Sequence, residues 1–159
     1  MRFIDNGNDT VTDTTTNLIW LKDANKFVKM TYDDAIETLK NFEDGKWRLP
    51  TVKELITLID YVQCEPALPE GHPFINIQSS GYWSSISFAY NTDYAWYVYM
   101  WNGGVDYSDK DSGHYVWPVR DELDDLIDLT KLLDSGEGKI PQSVEKVTAF
   151  TKDDSHMEI

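Results

Sequence analysis

Apolar residues recur along this chain with two different periods, and the change between them divides it. Phe3-Ile4 runs into Asp5-Asn6-Gly7-Asn8-Asp9 and then Thr10-Val11-Thr12-Asp13-Thr14. Asn-Gly between β-prone residues predicts a hairpin. Asp5, Asn6, Asn8 and Asp9 resemble a calcium loop only superficially. Counted from Asp5, Thr10 and Thr16 stand where an EF-hand needs Gly and Glu, so turn chemistry is expected. Leu18-Ile19-Trp20-Leu21 reads as a buried strand. The spacing then becomes helical: Ala35, Ile36, Leu39 and Phe42 follow Thr31, a good N-cap with Asp34 at the third helical position, and Gly45 stops the run. Thr51-Val52-Lys53-Glu54 is a full capping box for a second helix with Leu55, Ile56, Leu58 and Ile59 on its apolar face. Pro66, Pro69, Gly71 and Pro73 mark a long loop.

After residue 80 the pattern alternates. Short strands are expected at Tyr82–Ser85, Tyr94–Trp101 and Tyr115–Val119, with Pro118 at an edge or bulge. Asn102-Gly103 suggests a two-residue turn, returning the chain over Gly104–Ser108. Met100 then faces Val105, Tyr99 faces Asp106, Val98 faces Tyr107 and Tyr97 faces Ser108. Side chains alternate across a strand. One face therefore carries Trp96, Val98, Met100, Val105 and Tyr107, which suit a core. The other carries Tyr97, Tyr99, Trp101, Gly104, Asp106 and Ser108. Broad amphipathic rings interspersed with small polar groups are paratope chemistry, and such rings also stack on sugars. A cover formed by the C-terminal tail or by another sheet is the competing use of these rings.

Composition narrows the reading further. The 159 residues suit one core. Aromatics make up 13%, many of them in this late segment. The formal net charge of −14 repels polyanions, so no nucleic-acid partner is expected. The lone cysteine, Cys64, forms no intrachain disulfide and is expected to be buried or half-buried. No apolar run approaches the length of a membrane span, and the start of the chain lacks a leader's apolar segment, so neither membrane insertion nor a secretory leader is expected. From Asp121 the character changes. Leu123, Leu126, Ile127, Leu129 and Thr130 suit an acidic amphipathic helix extending towards Leu133, Ser135-Gly136-Glu137-Gly138 breaks it, and weak β tendency follows over Val144–Phe150.

Three segments together resemble a known family. They are Arg2–Asn8 continuing through Asp13–Trp20; Trp47-Arg48-Leu49-Pro50-Thr51 with Glu54-Leu55; and Tyr82-Trp83-Ser84-Ser85 with Tyr115-Val116-Trp117-Pro118-Val119-Arg120. In this order they resemble the C-terminal domain of a collagen-like bacterial adhesin, the Lcl C-terminal domain family, over roughly residues 2–120. Trp-Arg-Leu-Pro-Thr entering a helix is also similar to the wider C-type-lectin-like and formylglycine-generating-enzyme group. The resemblance implies an α+β, C-type-lectin-like fold: two helices flanking a small mixed or antiparallel sheet, with the ligand site on the late strands and loops. The ligand-binding domain would span 1–120. Residues 121–159 would be an acidic extension packed on it or on a partner chain, in an oligomer or a larger particle.

The family also resembles the variable proteins of diversity-generating retroelements, in which adenines of AAC-type codons are mutated. The corresponding positions here are Ile86, Phe88, Tyr90, Asp93, Tyr99, Gly104, Asp106, Ser108, Asp109, Asp111, Gly113 and His114. A codon retaining its final C cannot encode Met, Trp, Lys, Gln or Glu, and none of these positions carries one. Trp96, Met100, Trp101, Lys110 and Trp117 would be fixed scaffold.

Enzymatic readings find little support. The copper site of formylglycine-generating enzymes is cysteine-based, and a paired-thiol site cannot be built on Cys64 alone. His72, His114 and His156 are far apart in sequence, and no nucleophile-elbow motif accompanies them. Calcium-dependent sugar sites commonly use Glu-Pro-Asn and Trp-Asn-Asp, whereas this chain has Trp101-Asn102-Gly103 and no Glu-Pro-Asn. The expectation is a non-enzymatic module without cofactor or metal, displaying a face for a protein or glycan on another cell or particle. That face comprises Ile86, Phe88, Tyr90, Asp93, Tyr97, Tyr99, Trp101, Gly104, Asp106, Ser108, Asp109, Asp111 and His114. A fixed-specificity carbohydrate adhesin and a structural component of a viral or cell-surface particle are the alternatives.

Overall fold

Strands β1 (Phe3–Asp5) and β2 (Thr10–Asp13) form the first hairpin, with Phe3 opposite Asp13. Its polar loop is held by turn bonds: Gly7 N–H donates to the Asp5 carboxylate at 3.0 Å, and Asn6 N–H donates to the Thr10 carbonyl at 3.0 Å. This comes from a computed structural model, which describes residues 1–136. The chain divides into two units, Met1–Glu122 and Leu123–Ile159. The expected Val144–Phe150 β tendency, Gly138 and His156 lie outside the described residues.

β3 (Leu18–Leu21) is buried along its whole length, as an uninterrupted apolar run should be. Helix α1 (Tyr32–Lys40) starts at the Thr31 cap, whose hydroxyl accepts from Asp34 N–H at 3.3 Å. Ala35 and Leu39 are buried, but Ile36 is exposed. The helix ends at Asn41, which places Phe42 in the following turn, edge-on to Phe27. Helix α2 (Val52–Leu58) has both bonds of the capping box between Thr51 and Glu54.

The second sheet follows as β4 (Gly81–Ser87), β5 (Tyr94–Tyr99) and β6 (Val105–Asp109). The expected Tyr115–Val119 strand is displaced. Tyr115 makes a single parallel bridge to Tyr82, and the chain then crosses to the first sheet as β7 (Val119–Asp121), antiparallel to β3. Pro118 sits at the crossing; it has no N–H to give a ladder, and its carbonyl accepts from Leu21 N–H at 3.2 Å. Two antiparallel sheets result, ordered β1-β2-β3-β7 and β4-β5-β6, where one small sheet was expected. With the helices they make an α+β fold. Helix α3 (Glu122–Asp134) follows, with Leu123, Leu126, Ile127, Leu132 and Leu133 exposed.

Two cores lie on opposite faces of the second sheet. Tyr82 and its partner Val98 join Met100, Trp20, Trp117, Leu55 and Leu58 in the larger core. Trp83 and Ala95, one residue out of step, join Tyr32, Ala35, Leu39, Leu49 and Val116 in the other. The Trp47–Thr51 segment is tied in at every residue. Trp47 and Leu49 are buried, and Arg48 exchanges backbone hydrogen bonds with Val119 at 3.0 Å each way. The Arg48 guanidinium grips Glu54 at 2.8 and 2.9 Å and reaches Asp121 at 3.3 Å.

Candidate functional site: an aromatic rim on both faces of β5 and β6

The β5–β6 register differs from the sequence expectation. Val98 lies opposite Val105, Tyr97 opposite Asp106, and Trp96 opposite Tyr107. The connection is longer than Asn102-Gly103. Tyr99 N–H donates to the Gly104 carbonyl at 2.7 Å, and Gly103 N–H returns to the Tyr99 carbonyl at 2.7 Å. Met100 and Trp101 are unavailable to β6 because their backbones serve other segments. Met100 N–H donates to Ser80 at 3.0 Å, while the Met100 and Trp101 carbonyls accept from Ala67 and Glu65 at 2.8 and 2.9 Å. The slip is two residues, so every side chain keeps its expected face.

What lies on those faces needs correction. Of the expected core residues, Val98 and Met100 are fully buried and Trp96 is half-buried, but Val105 and Tyr107 are 40% and 44% exposed. β6 is the outer strand, beyond the reach of either core. The opposite face is also divided: Ala95 is buried, Tyr97 half-buried, and Tyr99 and Asp106 exposed.

On the Tyr97 face, the His114 imidazole stacks on Tyr97 at 4.3 Å between centroids, with planes 21° apart. Trp83 meets that imidazole at 4.4 Å and 77°. His114 is fixed by paired backbone bonds with Met30, each 3.1 Å. The stack exists because Gly81 lies beneath it. A Cβ there would meet His114 Nδ1 at 2.6 Å and Tyr97 Cδ2 at 2.7 Å. Burial, then the positive charge of Lys29, pushes the His114 pKa down. Burial, then Asp106 and Tyr99, pushes the Tyr97 hydroxyl up. Tyr99 extends this surface 6.3 Å from Tyr97. Trp101 follows at the turn, its Nε1–H bonded to the Glu65 carboxylate.

A second aromatic group occupies the other face. Phe88 and Tyr107 stack at 4.3 Å and 8°, and Trp96 stands edge-on to both at 5.5 and 5.4 Å. Tyr90, 93% exposed, lies 6.2 Å from Phe88, and Asp109 pairs with Tyr94 beside Tyr107.

The thirteen candidates therefore do not share one surface. Tyr97, Tyr99, Trp101, Asp106, Gly104, Ser108 and His114 fall on the first face or at its edge. Phe88, Tyr90 and Asp109 fall with the second group. Ile86, Asp93 and Asp111 are exposed at strand ends and connections. All thirteen are exposed or half-buried.

Sequence reasoning missed the Asp60–Ala67 loop. Tyr61 and Val62 are 68% and 89% exposed, and the Tyr61 hydroxyl donates to the Gly103 carbonyl at 3.4 Å. An apolar pair inside a proline-marked loop was the available signal. Cys64 lies in the same loop and is exposed, contrary to expectation, because the neighbouring Glu65–Ala67 backbone is what packs on the turn.

These features define a small α+β domain whose outer strands carry surface rings. Among the described residues, no group of three or more His, Cys, Asp or Glu is placed to hold a metal ion, and no helix is long and apolar enough to cross a membrane. Residues 9–120 match the Lcl C-terminal domain family, and the chain belongs to that family. This supports a lectin-like or ligand-binding domain in general terms. No curated protein matches the chain significantly.

Proposed function

We propose that the chain is a non-enzymatic ligand-display domain of C-type-lectin-like type, recognising a protein or glycan on another cell or particle. The observation that carries this reading is the aromatic surface formed by Tyr97, Tyr99 and Trp101 with His114 and Asp106, in which Tyr97 and His114 are seated on the core around Trp83 and Trp101 is bonded to Glu65. Rings held by packing lose little freedom on binding, and neighbouring polar groups select the partner. The acidic chain favours a neutral or basic ligand over an anionic glycan. Diversification by a retroelement accords with the surface placement of all twelve corresponding positions, Gly113 included.

Two tests apply. The immobilised protein, screened against glycan and cell-surface protein arrays, should give hits that Tyr99→Ala and Trp101→Ala abolish and Ile36→Ala preserves; hits indifferent to both rim variants defeat the reading. Diversification requires a nearby copy of the coding segment with AAC at the named codons, and a locus without one removes that part. The exposed apolar residues of α3 favour a second reading, a structural component of a larger particle. A stable multimer whose interface covers Tyr99 would select it.

A further inference from the structure

Among the described residues β6 ends its sheet, so one side of its backbone has no neighbouring strand there. Tyr99 N–H donates to the Gly104 carbonyl, and Lys110 N–H donates to the Asp93 carbonyl. Antiparallel pairs alternate between bonded and non-bonded, so these two bonds fix every residue between them. Gly104, Asp106 and Ser108 turn their backbone groups towards β5. Val105, Tyr107 and Asp109 turn theirs to the free edge. Such an edge, flanked by exposed Val105 and Tyr107, is a template for another strand.

The strand's own side chains occupy part of that edge. The Asp106 carboxylate accepts from Tyr107 N–H at 2.8 Å. The Ser108 hydroxyl donates to the Asp109 carbonyl at 3.3 Å, and that carbonyl also accepts from the Ser112 N–H at 2.9 Å. Both residues bond inward through their backbones and reach an outward-facing group with their side chains.

We propose that Asp106 and Ser108 close this edge to strand addition by a second copy of the chain. The edge is self-complementary. An antiparallel β6–β6 pair centred on Tyr107 sets Val105 of each copy opposite Asp109 of the other, so the same outward groups serve both copies, as a two-fold interface requires. In that pairing the two Tyr107 residues exchange the central N–H to carbonyl bonds. Tyr107 N–H, the central donor, is the one Asp106 holds, so Asp106 is the main guard; the Asp109 carbonyl, the next acceptor along, is shared by Ser108 and the Ser112 N–H. This inference is independent of any ligand reading and stands or falls on self-association.

The test uses the full chain with Asp106→Ala/Ser108→Ala, by analytical ultracentrifugation over a concentration series. The double variant should associate about tenfold more readily than the parent, the effect of roughly one recovered hydrogen bond. Adding Val105→Pro, which removes only an outward N–H, should abolish the gain. In dilute solution Asp106→Ala should speed Tyr107 amide exchange about tenfold, while Asp106→Asn, which keeps an acceptor, should not. A folded double variant no more associated than the parent overturns the proposal, as does a gain that survives Val105→Pro. Equal association of the Asn and Ala variants also overturns it, by assigning the guard to charge alone. If the double variant does not fold, the single Asp106 variants decide by the same criteria.

Discussion

The His114 imidazole lies almost flat on the Tyr97 ring, 4.3 Å away, over a glycine that leaves room for both. A histidine midway between β6 and β7 is thereby built into the aromatic surface on the Tyr97 side of the sheet. It is held there in its neutral form, since burial and Lys29 both disfavour its charge.

Stability should depend on pH through that preference. The folded-state pKa values of His114 and His72 lie below the ordinary value of 6.5, each mainly through burial. Protonation therefore favours the unfolded chain. The stabilisation is complete above the unfolded value and is lost as pH falls through the folded one. Urea denaturation at about pH 7.5 and about pH 5 should show a lower midpoint in acid. His114→Gln should shrink the difference without removing it, because His72 still titrates.

Gly81→Ala should cost about 1–3 kcal/mol, the usual penalty for forcing an atom into filled space. The new methyl collides with two rings, neither of which is the free end of a flexible chain. Gly104→Ala meets only the Asn102 side chain, at 3.0 Å, and should cost less. Paired denaturation curves check the order.

Trp20 and Trp117 are both fully buried and meet edge to face at 5.5 Å, yet they differ in one bond. Trp117 Nε1 donates to the Leu21 carbonyl at 2.8 Å, while Trp20 Nε1 has no partner. Trp117→Phe should therefore destabilise by about 1 kcal/mol more than Trp20→Phe, the net worth of the bond. Equal losses in thermal or chemical unfolding would contradict this.

Glu54→Ala should cost about 1–3 kcal/mol, because one carboxylate serves both the Thr51 N–H and Arg48. Burial works against its charge, but Arg48 and Thr51 outweigh it and hold the pKa below the ordinary 4.5. The contribution is complete above that value and fades as pH falls through the lowered one. An acid titration of the variant should lack part of the parent's loss below about pH 4.5.

Local chemistry was legible wherever one segment decides its own structure. Both helix caps, the first hairpin and the buried β3 run can be read from neighbouring residues. The strand faces were legible too, since a two-residue slip preserves parity. The register was not, because Asn102-Gly103 does not reveal that Ser80, Glu65 and Ala67 will claim the backbones of Met100 and Trp101. Nor could alternation show that each face of the sheet is covered along β4 and open along β6. That depends on where α1 and the first sheet stop, which is a property of the assembled fold. The candidate residues therefore lie on two faces of the sheet and on its connections, where one face was expected.

The sheet between two cores has a consequence for how this domain can change over time. β4 is covered on both faces over Gly81–Ser84, so substitutions there disturb packing. The sheet's outer strand touches neither core, so new side chains along it leave the folding determinants intact. Robustness and novelty are thus allotted to different strands less than three strand-widths apart, and selection can act on one without renegotiating the other.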